Sequence, residues 1–446
     1  MVTSTRRAKR GDALEVTIES ALEPGRFITY RAGWDFPLAL EEVAAQIRKL
    51  VAQDPERAIR LYETFLAGCY EKAGELDDSS GNFGMFIDGL YRGWIKARQA
   101  AAADPDETAT WLLARMDDDP YGFAYQLERD AAKVMNRANL AAFARQVRRR
   151  FDGEPAGGAE LGRPGVSPGR KRWAGVLRAI YVARRDVAAY VALAEETELS
   201  AQDCLAVAAL LRGRRPEQAL GWAERGLAFG KGQRHESTAR YHLAKLKREL
   251  LTKLGRGSEA IEEAWVQYRE QPSKFTYEEL MRFVPKAKRA AWHGKAMEAA
   301  SGADLGSLIE LMLETKEIDR LVGLLRAASD ADLEGLSHYT TAPAATRLAK
   351  SHPDVAAKVF RALGMRILRA KKSKYYDAAV ENFEAAKACY ERAGLARPWA
   401  ALVAEVRDTH RRKVGFMAAF ERLVAGQGPS DEPSFLERAK SRWFSR

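Results

Sequence analysis

Apolar residues along this chain recur at spacings of three and four, the period of a helix with one buried face. From about Leu38 onward, Leu40, Val43, Ile47, Leu50 and Val51 share such a face. Asp54-Pro55 should end that helix and start the next. Aspartate at the N-cap accepts from free first-turn amides, and proline at the first helical position lacks the hydrogen that would go unpaired. Asp104-Pro105 and Asp119-Pro120 repeat the device and predict further starts. Between the first two lies a helix carrying Ile59, Tyr62, Phe65, Leu66 and Cys69. A polar corner, Asp77-Asp78-Ser79-Ser80-Gly81-Asn82, separates it from a helix carrying Phe86, Leu90, Trp94 and Ile95. The pattern is that of an antiparallel helical hairpin.

A further helical run ends near Phe151, and the stretch 152–169 then contains six glycines and three prolines. Such a composition breaks regular elements and predicts a linker. Beyond it, helices alternate with turns at Gly213, Gly232, Gly255, Pro272, Gly302, Pro353 and Gly394. Three alanine-centred helices recur, around Ala219, Ala260 and Ala379. The first step is 41 residues and the second 119, about three repeats of a helix-pair solenoid. The expected fold is therefore all-α, with helical hairpins forming a tetratricopeptide-like α-solenoid. The predicted organisation is a basic arm and lead-in over 1–37, an N-terminal helical domain over 38–151, the linker over 152–169, a repeat domain over 170–429 and a tail over 430–446.

Composition agrees, with 46% hydrophobic and 30% charged residues. The longest uncharged apolar runs, Val187 to Ala194 and Cys204 to Leu211, are too short to span a bilayer. Arg6, Arg7, Lys9 and Arg10 are followed by Glu15 and Glu19 where a signal peptide would need an apolar segment. No membrane contact and a cytoplasmic location are expected. Cys69, Cys204 and Cys389 sit at helical apolar positions, as buried thiols do. Charge is uneven: residues 145–256 hold 23 basic and 12 acidic groups, a net +11 that equals the excess of the whole chain. Such a field attracts phosphate polymers or acidic proteins.

Two regions resemble known families. Residues 38–151, with Asp77-Asp78-Ser79-Ser80-Gly81 and Asp119-Pro120-Tyr121-Gly122, resemble an uncharacterised bacterial family of helical pairs. Residues 235–425 resemble the helical region downstream of the zinc module in SWIM zinc-finger proteins. The similar stretches are Leu251 to Ala260, Tyr376-Asp377-Ala378-Ala379-Val380, and His410-Arg411-Arg412-Lys413-Val414-Gly415-Phe416. The CxC and CxH pairs of the SWIM module have no counterpart, so the resemblance implies architecture without its metal or nucleic-acid roles.

Chemical motifs weaken in context. Gly165-Val166-Ser167-Pro168-Gly169 has the form of a nucleophile elbow, but it lies in Gly/Pro-rich chain without the strand that would expose the serine. Gly226 to Gly232 is one residue short of a P-loop and has glycine at the Mg²⁺-binding position. A helix C-cap explains those glycines. His235, His242, His293, His338, His352 and His410 show no helical zinc spacing. Asp77, Asp78, Ser79, Ser80 and Gly81 lack the alternation of a calcium loop and fit a capping corner. No catalytic residue, metal or cofactor is expected.

Three basic clusters stand as a candidate polyanion surface: Arg145, Arg148, Arg149 and Arg150; Arg170, Lys171 and Arg172; Arg212, Arg214 and Arg215. If the linker folds back, the first two would meet, with Phe151 and Trp173 as stacking groups. A solvated face is the plainer reading, and no sequence-reading motif accompanies the clusters. His410, Arg411, Arg412 and Lys413 form a further basic run on the family-like stretch. The leading expectation is a non-enzymatic scaffold that docks an unidentified protein or peptide. Its rival is a nucleic-acid-associated accessory protein using residues 145–256. The oligomeric state is left open.

Overall fold

The computed structural model describes residues 12–23, 25, 27–155, 158–160, 163–165, 167–229 and 238–427. The chain divides into two compact units between Leu250 and Leu251. Each is built of helical hairpins packed side by side, an all-α, tetratricopeptide-like arrangement.

The first unit begins with α1 (Ala13–Leu22), α2 (Phe36–Leu50), α3 (Pro55–Lys72) and α4 (Asn82–Ala100). It continues through α5 (Pro105–Asp117), α6 (Leu127–Val134) and α7 (Arg137–Gly153). The Asp-Pro starts work as expected at α3 and α5. Asp54 accepts from the Arg57 amide at 3.0 Å, and Asp104 accepts from Asp106 and Glu107 at 2.7 and 3.0 Å. Asp119-Pro120 behaves differently. Asp119 accepts from the amides of Phe123 and Ala124 at 2.9 and 2.7 Å, closing a run of turns, and α6 starts only at Leu127. The core joins Ile18, Leu40, Phe65, Trp94, Leu112 and Phe143. Fully burying such a side chain contributes about 1.5–3 kcal/mol.

The stretch 152–169 departs from the expected linker. Two short antiparallel strands, β1 (Gly158–Glu160) and β2 (Arg163–Gly165), pair within it, and α8 (Pro168–Arg184) then packs on α6 and α7. Buried Phe151, Trp173, Leu177 and Ile180 continue the same core across it. Glycine and proline here make a hairpin between packed helices, so the division into units falls elsewhere. The unit goes on through α9 (Val187–Glu196), α10 (Ala201–Leu211), α11 (Pro216–Ala228) and most of α12 (Thr238–Lys253).

The second unit contains α13 (Gly257–Glu270), α14 (Lys274–Phe283), α15 (Arg289–Ala299) and α16 (Leu305–Thr315). It continues with α17 (Ile318–Ala327), α18 (Asp330–Gly335), α19 (His338–Leu348) and α20 (Pro353–Arg369). The last three are α21 (Tyr376–Arg392), α22 (Ala396–His410) and α23 (Val414–Val424). Ala219, Ala260 and Ala379 are all fully buried, on α11, α13 and α21. The interval from Ala260 to Ala379 holds four helix pairs, not three, because α15 to α19 are short. The expected N-terminal arm lies outside the described residues at 1–11, and all of the tail over 430–446 lies outside them.

Candidate functional site

The first two basic clusters do meet, because α7 and α8 pack together. The guanidinium groups of Arg148 and Arg170 lie 4.8 and 4.0 Å from the centre of the Phe151 ring, and both pair with Glu196. Arg150 and Arg172 lie 4.9 and 4.7 Å from the centre of the Trp173 ring, and both face Asp117. Arg145 pairs with Asp106 at 2.7 Å, and Arg148 also reaches Asp152 at 2.9 Å. Phe151 and Trp173 are therefore buried under the protein's own arginines and are not stacking platforms for bases. Much of the positive charge is compensated locally. Arg149 and Lys171 remain exposed on this surface.

The third cluster belongs to another surface. Arg212, Arg214 and Arg215 occupy the turn between α10 and α11, beside Arg185 at the end of α8. With Val187 and Ala209 to Leu211 they line a cleft of about 510 Å³. Arg185 adopts φ +53, the left-handed conformation that ends the helix and turns the chain into α9.

A second basic cleft, of about 580 Å³, lies where the end of α20 meets the turn after α22. Arg369, Lys371, His410, Arg411, Arg412 and Lys413 line it, together with one acid, Asp408. The Nε2 atom of His410 is enclosed and has no hydrogen-bond partner. Burial first, and then the charges of Lys413 and Arg369, hold its imidazole below the ordinary value, against a weaker pull from Glu405.

The corner at residues 77–81 is a cap. The two carboxylate oxygens of Asp78 each accept at 2.9 Å, from the amides of Phe83 and Gly84. Asp77 accepts from the amide and hydroxyl of Ser79, which lowers its pKa. Ser80 accepts from the Asn82 amide at 3.3 Å, and Gly81 takes φ +73 at the N-cap of α4. Asp78 and Ser80 thus serve the first turn of α4, while Asp77 closes the corner through Ser79.

The remaining motifs settle into packing. Ser167 accepts from the Arg170 amide at 3.2 Å and caps α8, while Val166 lies outside the described residues. In the Gly226–Gly232 stretch, Gly226 packs against Leu243 and Cys204, α11 ends at Ala228, and Gly230 to Gly232 are outside the described residues. His352 bonds Ser351, and His242 and His338 lie against Tyr241 and Tyr339; His235 is outside the described residues. Among the described residues no group of three or more His, Cys, Asp or Glu could hold a metal ion. The three cysteines are free and buried.

Sequence reasoning missed one ordered polar chain. The Tyr277 hydroxyl meets His293 Nδ1 at 2.8 Å, and His293 Nε2 meets Glu317 at 2.9 Å, joining α14, α15 and the start of α17. Its members are too far apart in sequence to form a local motif. Lys295 lies on the same helix as His293, 4.3 and 4.4 Å from the ring centres of Trp265 and Trp292.

Comparison with known proteins places the chain in a family: it belongs to DUF6880, a family of unknown function, whose model matches residues 18–419. No curated protein matches it. Among solved structures it is similar to a chain of the structure titled "Structure of Naa15/Naa10 bound to HypK-THB". Sequence identity is 14%, the match covers 97% of this chain and 71% of that chain, and the TM-score is 0.31. Among the described residues no helix is long and apolar enough to cross a membrane.

Proposed function

We propose that this member of the DUF6880 family is a non-enzymatic, cytoplasmic scaffold whose helical-hairpin units dock a partner protein. The observation that carries this reading is an exposed apolar group at the start of the first unit. Phe27, Tyr30, Trp34 and Leu38 are 57, 49, 52 and 66% exposed within one short stretch, and Tyr30 and Trp34 make an edge-to-face pair. Large apolar side chains exposed within one short stretch of chain favour association over solvation. Affinity purification from the native host tests the reading, with Trp34→Ala and Leu38→Glu beside the natural chain. A partner that disappears with both variants and persists at high salt supports it, and an unchanged set of partners overturns it.

A second reading is favoured by the cleft beside Arg185, Arg212, Arg214 and Arg215: contact with a nucleic-acid backbone. Arg149, Arg214 and Arg215 are the residues to reverse, because Arg148 and Arg150 are tied to acids. Salt-dependent binding of DNA or RNA that Arg214→Glu with Arg215→Glu abolishes would support this reading. No binding at low salt would end it.

A further inference from the structure

The cleft at the α22–α23 turn gathers more positive charge than its surroundings neutralise. Arg369 is paired with Glu334, and the Lys413 ammonium lies 5.8 Å from the centre of the Tyr376 ring. Lys371, Arg411 and Arg412 are exposed and make no ion pair among the described residues. Lys371 takes φ +54 just past the end of α20, a conformation more often left to glycine. The backbone thus presents a charged side chain at a position where a bare glycine would suffice. His410, with its enclosed and unpartnered nitrogen, completes the lining.

We propose that this cleft binds a phosphoryl group carried on a peptide segment of a partner protein. A phosphoryl dianion offers three acceptor oxygens and nearly twice the charge of a carboxylate, which suits several converging Arg and Lys donors. A nucleic-acid strand fits less well. The lining holds no Phe, Tyr or Trp, and the one aromatic ring there, the half-buried His410 imidazole, offers bases no broad stacking platform. The proposal rests on the scaffold reading but uses residues other than those around Trp34.

The test uses the full chain labelled at histidine, with the His410 signal assigned by its loss in His410→Gln. The probes are a short Gly/Ser peptide with one phosphoserine, its unphosphorylated copy, inorganic phosphate and a short thymidine oligonucleotide. The phosphopeptide should shift the His410 signal and raise the pH at which it titrates. The double variant Arg411→Gln, Arg412→Gln should weaken binding by roughly tenfold or more, with an unchanged thermal melt. The unphosphorylated copy should leave the signal still. An equal response to that copy, no response to the phosphopeptide, or tighter binding of the oligonucleotide would each overturn the proposal. Inorganic phosphate binding as tightly as the phosphopeptide would overturn the peptide carrier. Partner capture through Trp34 is measured in parallel, so failure of the cleft is distinguishable from failure of the scaffold.

Discussion

Gly364 of α20 lies directly beneath the ring of Phe383 on α21, so close that an added Cβ would stand 2.7 Å from the Phe383 Cζ. This contact lets two long helices approach at the centre of the second unit's core, where Phe383 also packs edge-on against Phe420. The glycine is required by space, since its backbone is ordinary helix.

Gly364→Ala should therefore destabilise the second unit by about 1–3 kcal/mol, the range for overpacking a filled core. Gly323 on α17 has open space where a Cβ would stand, with no heavy atom within 4 Å, and supplies the control. Gly323→Ala should stabilise by up to about 1 kcal/mol through better helix propensity. Urea melts of both variants check the pair; a neutral Gly364→Ala would show that α20 and α21 are less closely packed.

Asp203 is a buried carboxylate of the first unit that accepts from four donors. One oxygen accepts from Arg178 at 2.6 Å and from the Tyr190 hydroxyl at 3.0 Å, and the other accepts from the amide and hydroxyl of Ser200 at 3.0 and 2.6 Å. It closes the capping box of α10 while joining α8 and α9. Asp203→Ala strands a buried hydroxyl and a guanidinium, and should cost about 3 kcal/mol. Asp203→Asn keeps part of the cap and should cost less. Equal melts for the alanine variant and the natural chain would contradict this network.

Local signals were legible and long-range ones were not. Asp54-Pro55 and Asp104-Pro105 start helices because cap and proline act on their own first turn. Asp119-Pro120 has the same spelling, yet Tyr70 bonds Asp119 at 3.1 Å and packs edge-on against Phe123, so tertiary contacts hold turns there. The glycines and prolines of 152–169 correctly signal a break in helix, but not that Phe151 and Trp173 bury a common core on either side. His410 to Lys413 stood out as a run, whereas Arg369 and Lys371 reach the same cleft from the end of α20. Charge clusters were visible in the sequence; the acids that neutralise Arg148, Arg150 and Arg170 became apparent only once the helices were packed.

Thiol chemistry offers an independent check on packing. Cys69, Cys204 and Cys389 are all buried, and burial pushes each thiol pKa up, which leaves little reactive thiolate at neutral pH. An aromatic disulfide reagent should label none of them in the folded protein and all of them in urea. Rapid labelling of one cysteine in the native state would place that residue in a loosely packed site.

Asp88 on α4 gives a pH dependence with a definite sign. Burial, and then the negative charge of Asp130 on α6, push its carboxyl up to about 6, against weaker opposing effects from Arg92 and Lys133. The native state therefore holds this proton more tightly than the unfolded chain, whose value is near 3.8. The favourable contribution is complete below the unfolded value and is lost as pH rises through the folded one. Asp88→Asn should raise stability at neutral pH by an amount on the order of 1 kcal/mol, reduced by partial solvent screening, and should change little in acid. Urea melts across this pH window separate the electrostatic cause from packing: an equal change at both ends would assign the effect to the amide's contacts, because a carboxylate penalty acts only where the group is ionised.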